Sequence, residues 1–143
     1  MHLTTDPPAV AATRRPLRWQ LVAYWLVTGL VVSELLVGGA WDIARLPLVA
    51  TLVQHLGYPG YFLVLLGTWK ILGAAAILVP GRPLLKEWAY AGTVFVYSGA
   101  IISHLAAGYA RGEIAILAPL LVLSVLSWAL RPASRTLVPL LAR

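Results

Sequence analysis

Four apolar segments of nearly equal length make up most of this chain. They cover residues 19–39, 61–79, 88–108 and 114–130. Each has about 17–21 residues, close to the number that an α-helix needs to cross the hydrocarbon core of a bilayer. Only 11% of the residues are charged and 60% are hydrophobic, whereas a soluble domain is about one quarter charged. The sequence therefore predicts an all-α membrane protein, a bundle of four transmembrane helices.

Basic residues are distributed unevenly among the segments that flank these spans. Eight Lys or Arg residues lie before the first span, between the second and third spans, or after the fourth, whereas the other two connections hold only Arg45 and Arg111. Basic residues favour the cytoplasmic side of a membrane. We therefore expect residues 1–17 to be a cytoplasmic N-terminal segment, residues 18–131 the transmembrane domain and residues 132–143 a cytoplasmic tail. These flanks account for the net charge of +6, and no nucleic-acid partner is expected.

The connection between the first two spans contains a short helical pattern. Its apolar residues recur with helical spacing, Pro47 suits a first helical turn, and Gly57 and Pro59 end the pattern. A helix of about ten residues is too short to cross a bilayer. We therefore expect a short interfacial helix that lies over the outer mouth of the bundle.

Three ionisable residues, Glu34, Lys70 and His104, interrupt the apolar spans. A charge at the bilayer centre costs about 2.5–3.5 kcal/mol on insertion scales, so such residues usually face a bundle interior, a partner or a watery cavity. Their depths from the outer ends of the spans, at the helical rise, are roughly 8, 13 and 6 Å respectively. Because all three fall in the outer half of the membrane, we expect them to share a polar site under the interfacial helix.

Two interpretations of this site remain open. In the first, Glu34 and Lys70 form a structural ion pair that fixes the helix register, and His104 bonds to Ser103 or to a backbone carbonyl. In the second, the residues line a ligand cavity. Lys70 then supplies charge, Glu34 the counter-charge, and His104 a hydrogen bond or a proton. Trp69 forms an apolar wall. The candidate ligand-binding residues are thus Glu34, Trp69, Lys70, Ser103 and His104, and no catalytic residue is assigned.

The residue inventory limits the cofactors. The chain has no cysteine, which excludes disulfides, thiolate metal sites and iron–sulfur ligation. His2 and His55 lie outside the spans, so one chain lacks a second intramembrane histidine for a two-histidine haem. No spacing of Asp, Glu and His resembles a zinc or two-metal centre. A quinone, whose carbonyl His104 could hydrogen-bond, is the cofactor that this pattern leaves open.

Small residues recur at helical spacing in the third span. They are Gly92, Gly99, Ser103 and Ala106, and the second span carries Gly67 and the run Gly73–Ala76. Small residues let membrane helices approach closely. Helix packing is therefore their expected role.

Four short motifs stand out as a set. They are LGYP at 56–59, GTWKILG at 67–73, KEWAYAG at 86–92 and GAIISH at 99–104. Together they resemble the DoxX-like family of small bacterial membrane proteins, over residues 20–135. The resemblance implies a four-helix bundle in the bacterial plasma (inner) membrane, with Lys70, Glu87 and His104 on motif positions. It also implies an association with membrane oxidoreductase complexes. Glu87 has a simpler explanation as well, since a carboxylate favours a helix N-terminus.

The sequence leads to two hypotheses about function. In the first, the chain is a redox-associated membrane subunit that binds a quinone or another lipophilic small molecule. A membrane or redox partner protein would supply the electron carrier that the chain lacks. In the second, the chain is not an enzyme but a small transporter or a membrane scaffold that recruits other proteins. Four spans are few for a transporter monomer, a shortage that homo-oligomerisation would remedy.

Overall fold

The computed structural model describes residues 18–108 and 111–136, without the side chain of Arg111. All regular secondary structure in this part of the chain is helical. It consists of α1 (Arg18–Ile43), α2 (Pro47–His55), α3 (Tyr61–Leu78), α4 (Pro83–Ala106), α5 (Arg111–Ala129) and a 3₁₀ turn (Ala133–Arg135). Four of the helices, α1, α3, α4 and α5, are long and apolar enough to cross a membrane. The prediction of a four-helix membrane bundle is confirmed. The N-terminal segment 1–17 and most of the expected tail lie outside the described residues.

Two spans extend about four or five residues beyond the limits expected from hydropathy, and α5 begins three residues early. Helix α1 continues to Ile43 instead of ending near residue 39, because Asp42 is 2% exposed and has a cationic neighbour on α3. Helix α4 begins at Pro83, five residues before the expected start. Proline fits a first helical turn, and the ammonium of Lys86 donates hydrogen bonds to the carbonyl oxygens of Ala76 and Ile77 at the end of α3. Asp42 and Lys86 therefore lie within the helices, because each has a partner inside the bundle.

The predicted short helix is present as α2, and its end has a defined geometry. Gly57 follows the helix with a φ of +86°. Its N–H donates to the carbonyl of Gln54 at 2.9 Å, and the next N–H, of Tyr58, donates to the carbonyl of Val53 at 3.1 Å. These two bonds form a Schellman motif, in which a left-handed glycine ends a helix and satisfies its last carbonyls. The motif fixes the position of Tyr58 beside the bundle.

Helices α1 and α3 approach each other most closely where Gly39 faces Gly67. A Cβ atom added to Gly39 would lie 2.9 Å from the carbonyl oxygen of Gly67, a distance that requires the backbones to move apart. Packing is therefore confirmed for Gly67, and for Ala74 and Ala76, which are buried. It is wrong for Gly73, Gly92 and Gly99, where an added Cβ would meet nothing within 4 Å outside its own helical turns, among the described residues.

Helix α4 packs against the bundle with a face that does not contain its glycines. Its buried residues are Lys86, Tyr90, Thr93, Tyr97 and His104, most of which recur at helical spacing. The apolar core, which includes Val31, Leu35, Ala74 and Ile77, also takes in Tyr90. The glycine face of α4 is consequently left open.

Polar side chains connect the helices toward the end of the bundle farthest from α2. Glu87 accepts hydrogen bonds from Trp128 Nε1 at 2.8 Å and from Arg131 at 2.7 Å. The hydroxyl of Ser127 bonds to those of Thr28 at 2.7 Å and Tyr90 at 2.8 Å. Glu87 lies in the second turn of α4, so it connects α4 to the end of α5 instead of capping a helix.

Candidate functional site

A cavity of about 320 Å³ lies in the bundle directly under α2. Aliphatic and aromatic side chains form most of its wall, and α2 contributes Val49, Leu52, Val53 and Leu56 as a roof. Seven side chains with polar groups also line it: Glu34, Asp42, Tyr58, Lys70, Tyr97, Ser103 and His104. Four of the five residues predicted from the sequence are thus brought to one cavity.

Lys70 of α3 lies between two carboxylates of α1. Its Nζ is 3.1 Å from Asp42 Oδ2 and 3.6 Å from Glu34 Oε1. Residues eight apart on a helix point about 80° apart and lie about 12 Å apart along the axis, so one long lysine side chain on a facing helix can reach both carboxylates. Gly38 leaves room for this cluster, since a Cβ atom there would lie 2.8 Å from Glu34 Oε1 and 3.2 Å from Lys70 Nζ. The predicted approach of Lys70 to Glu34 is therefore present, with Asp42 as a closer partner.

A second group of polar side chains comes from α4 and the segment after α2. The hydroxyls of Tyr58 and Ser103 are 2.7 Å apart. His104 is 3% exposed, and its Nδ1 lies 2.7 Å from the carbonyl oxygen of Ala100 one turn earlier. Because a carbonyl can only accept, Nδ1 is the donor, and Nε2 of a neutral ring is then an acceptor. The histidine ring is thereby held in one orientation at the cavity wall.

Tyr97 is the most deeply buried hydroxyl of this wall. The residue is 2% exposed, and its hydroxyl has no hydrogen-bond partner among the described residues. Leaving a buried hydroxyl without a partner costs about 1–3 kcal/mol. A polar group of a bound molecule would remove that cost.

Three cavity residues were not found by sequence reasoning. Asp42 was assigned to a loop, although its spacing of eight residues from Glu34 was a usable signal. Tyr97 precedes His104 by seven residues, two helical turns, and therefore shares its face. Tyr58 lies within the LGYP motif, but its contact with Ser103 depends on the turn that ends α2.

The structure places Trp69 apart from this group. Its side chain is 62% exposed and lines a separate groove of about 510 Å³ between α3 and α4, here the α3–α4 groove. The groove is almost entirely apolar. Its lining and that of the cavity have Phe62, Leu66, Lys70 and Val96 in common.

The described residues offer no group of three His, Asp or Glu side chains that could hold a metal ion. What the arrangement offers is one cation, two carboxylates, three hydroxyls and an imidazole in an apolar surrounding. Such a wall can hydrogen-bond a small polar head group and exchange protons with it.

Four long apolar helices that pack around a cavity with polar side chains define a small multi-pass membrane protein. The sequence model of the DoxX-like family matches residues 26–130, and the chain belongs to that family, as its motifs indicated. The matched range includes every polar residue of the cavity. Comparisons with curated proteins and with solved structures found no significant match.

Proposed function

We propose that the cavity under α2 binds a lipophilic small molecule with a polar head group, and that a quinone is the leading ligand class. The observation that carries this proposal is the content of the cavity: charged and hydrogen-bonding side chains facing a space of about 320 Å³ with otherwise apolar walls. Ligand sites typically have volumes of about 300–1,000 Å³ with a few polar groups among apolar ones.

The excess of carboxylates favours a ligand site over a structural ion pair. One carboxylate would be enough to neutralise Lys70, yet both Glu34 and Asp42 lie within ion-pair distance of it. If all three ionise, the cluster has a net charge of −1. A further charge inside a membrane is costly, by about 2.5–3.5 kcal/mol at the centre, and such residues usually serve binding or transport. The second carboxylate is therefore better explained by function than by helix register.

The same side chains suit both oxidation states of a quinone. The oxidised head group presents carbonyl oxygens, which can accept hydrogen bonds from Lys70 or Tyr97. The reduced head group presents hydroxyls, which can donate to Glu34 or Asp42. Reduction of a quinone to a quinol takes up two electrons and two protons. The carboxylates could pass protons, and a redox partner protein would deliver the electrons.

Binding of a chain-free ubiquinone ring to the purified protein in nanodiscs tests this proposal. Tyr97→Phe should lower the affinity about 5- to 10-fold, which corresponds to about 1–1.4 kcal/mol. Its melting temperature should stay unchanged or rise, because the variant removes a hydroxyl that has no partner among the described residues. Asp42→Asn should also weaken binding. Tyr61→Phe is the matched control, since Tyr61 is exposed and lines neither space.

Absence of quinone binding by the wild-type protein would contradict the quinone assignment. The negative charge of the cluster favours one version of the transport hypothesis in that case, namely a lipophilic cation as the ligand. Tetraphenylphosphonium binding in the same preparation, and its flux into proteoliposomes, measures this alternative. Asp42→Asn should then abolish binding, since it removes the excess carboxylate.

A further inference from the structure

The α3–α4 groove adjoins the cavity and shares part of its wall. Phe62, Leu66, Lys70 and Val96 belong to the walls of both spaces. Apart from Lys70, the groove is lined by apolar residues and by Thr93, whose hydroxyl donates to the carbonyl of Ala89 at 2.8 Å. Lys70 therefore lies at a junction between a polar compartment and an apolar one.

The groove is also open toward the surroundings of the bundle. Trp69 and Trp88, which line it, are 62% and 73% exposed. In a membrane protein such a surface faces the hydrocarbon of the bilayer. A molecule dissolved in the membrane can thus enter the groove from the side, between α3 and α4.

Glycines provide much of the space in the groove. Gly73 and Gly92 both line it, one from each helix, and an added Cβ atom at either position would meet nothing within 4 Å outside its own helical turns, among the described residues. Close helix packing, the usual reason for small residues in membrane helices, does not explain these two positions. Space for a bound molecule explains the two glycines instead.

We propose that the ligand is an amphiphile with a long apolar chain, which enters between α3 and α4 and leaves its chain in the α3–α4 groove while its head group occupies the cavity. This inference rests on the proposed function of the cavity. It assigns the two compartments to the two parts of one molecule: polar wall to head group, apolar groove to chain. The groove, at about 510 Å³, is larger than the cavity, at about 320 Å³. This order fits a ligand whose apolar chain is larger than its head group.

The test compares two probes that share one head group. The chain-free ubiquinone ring and its decyl derivative are titrated against the wild-type protein, Gly92→Leu and Gly29→Leu in nanodiscs. Gly92→Leu fills the groove. Gly29→Leu is the matched control, since Gly29 also has open space around it but lines neither compartment.

We expect Gly92→Leu to weaken binding of the decyl derivative at least tenfold and to leave binding of the ring unchanged. Gly29→Leu should change neither. Gly73→Leu, on the other wall, should reproduce the effect of Gly92→Leu, and equal melting temperatures would show that both variants fold.

Different results overturn the two proposals separately. If the ring binds, but Gly92→Leu and Gly73→Leu hold the decyl derivative as tightly as the wild-type protein does, the chain lies elsewhere and this inference is wrong while the cavity assignment stands. A groove that permanently holds a bilayer lipid would give that same result, with copurified lipid lost from Gly92→Leu in native mass spectra. If neither probe binds the wild-type protein, the quinone assignment fails and this inference with it.

Discussion

Lys70 connects the charges of the cavity. Its removal would leave the buried Asp42 and the partly buried Glu34 without their cation, and breaking a buried ion pair in this way costs about 3–5 kcal/mol. We therefore expect Lys70→Met to lower the free energy of unfolding by about that amount, measured by denaturant titration in detergent micelles. The expected loss is larger than that of an ordinary surface substitution.

The two carboxylates should differ in how far they rescue Lys70→Met. Asp42 is closer to Lys70, at 3.1 Å against 3.6 Å for Glu34, and its side chain is 3% exposed against 23%. Adding Asp42→Asn should consequently restore more stability than adding Glu34→Gln. If Glu34→Gln restored more, Glu34 would be the principal partner and the order given by the geometry would be incorrect.

At the level of single residues, the sequence predicted the charged pair but not the whole cluster. Glu34 and Lys70 were recognisable because a charge in the middle of an apolar span is rare and costly. Asp42 was missed because it stands near the end of a span, where hydropathy cannot distinguish a buried carboxylate from one in a loop. Tyr97 carries no charge, so its missing partner became apparent only when the helices were placed together.

The contact between α1 and α3 depends on the absence of side chains at their crossing point. Gly67→Ala would place a Cβ atom 2.9 Å from Asp42 Cβ and 2.8 Å from Ile43 Cγ1. Because such overpacking typically costs about 1–3 kcal/mol, we expect a stability loss in this range, seen as a lower melting temperature. The same change should loosen the contacts of Lys70 with the carboxylates of α1.

Gly73→Ala is the matched control for this prediction. It lies on the same helix, has open space at its Cβ position, and alanine is a better helix former than glycine by about 1 kcal/mol. Gly73→Ala should therefore be neutral or slightly stabilising. Equal losses in the two variants would mean that the crossing point is not tightly packed.

At the level of helices, sequence reasoning was most successful where turn chemistry was explicit. Pro47 and Gly57 marked the ends of α2, and the helix lies between them. Small residues were less informative, because the same residue type permits close packing at Gly67 and leaves a groove at Gly92. Only the relative placement of two helices separates these cases, and one sequence does not contain it.

The whole molecule has two ends of different character. The cavity and its roof α2 lie at one, and the buried basic residues Lys86 and Arg131 lie at the other with Glu87. Arg131 also lies over the rings of Tyr90 and Trp128, at 5.0 and 5.6 Å from their centroids.

Four spans and their order followed from length and hydropathy alone, since the bilayer sets the length of each helix. The tilts and contacts of the helices depend on side-chain packing, so length and hydropathy did not predict them.

The bond between Glu87 and Arg131 joins α4 to the segment after α5. Glu87→Gln would keep a hydrogen-bond acceptor but remove the negative charge that the buried Arg131 faces at 2.7 Å. Since charge-assisted hydrogen bonds are roughly twice as strong as neutral ones, we expect a loss of about 1–2 kcal/mol in unfolding free energy. Ligand affinity in the cavity should be unchanged. A loss of affinity without a loss of stability would show that the two ends are coupled.

The orientation predicted from the basic residues has a direct test, because the chain has no cysteine. Eight Lys or Arg residues lie before the first span, around the α3–α4 connection or after the fourth span, against two in the other connections, and they predict that both termini are cytoplasmic and that α2 is outside. Single cysteines at Gln54 on α2 and Pro80 between α3 and α4, both exposed positions, report on the two sides. In intact cells a membrane-impermeant maleimide should label Gln54→Cys, whereas Pro80→Cys should react only after lysis. The reverse pattern would invert the molecule and place the cavity in the cytoplasmic half of the membrane.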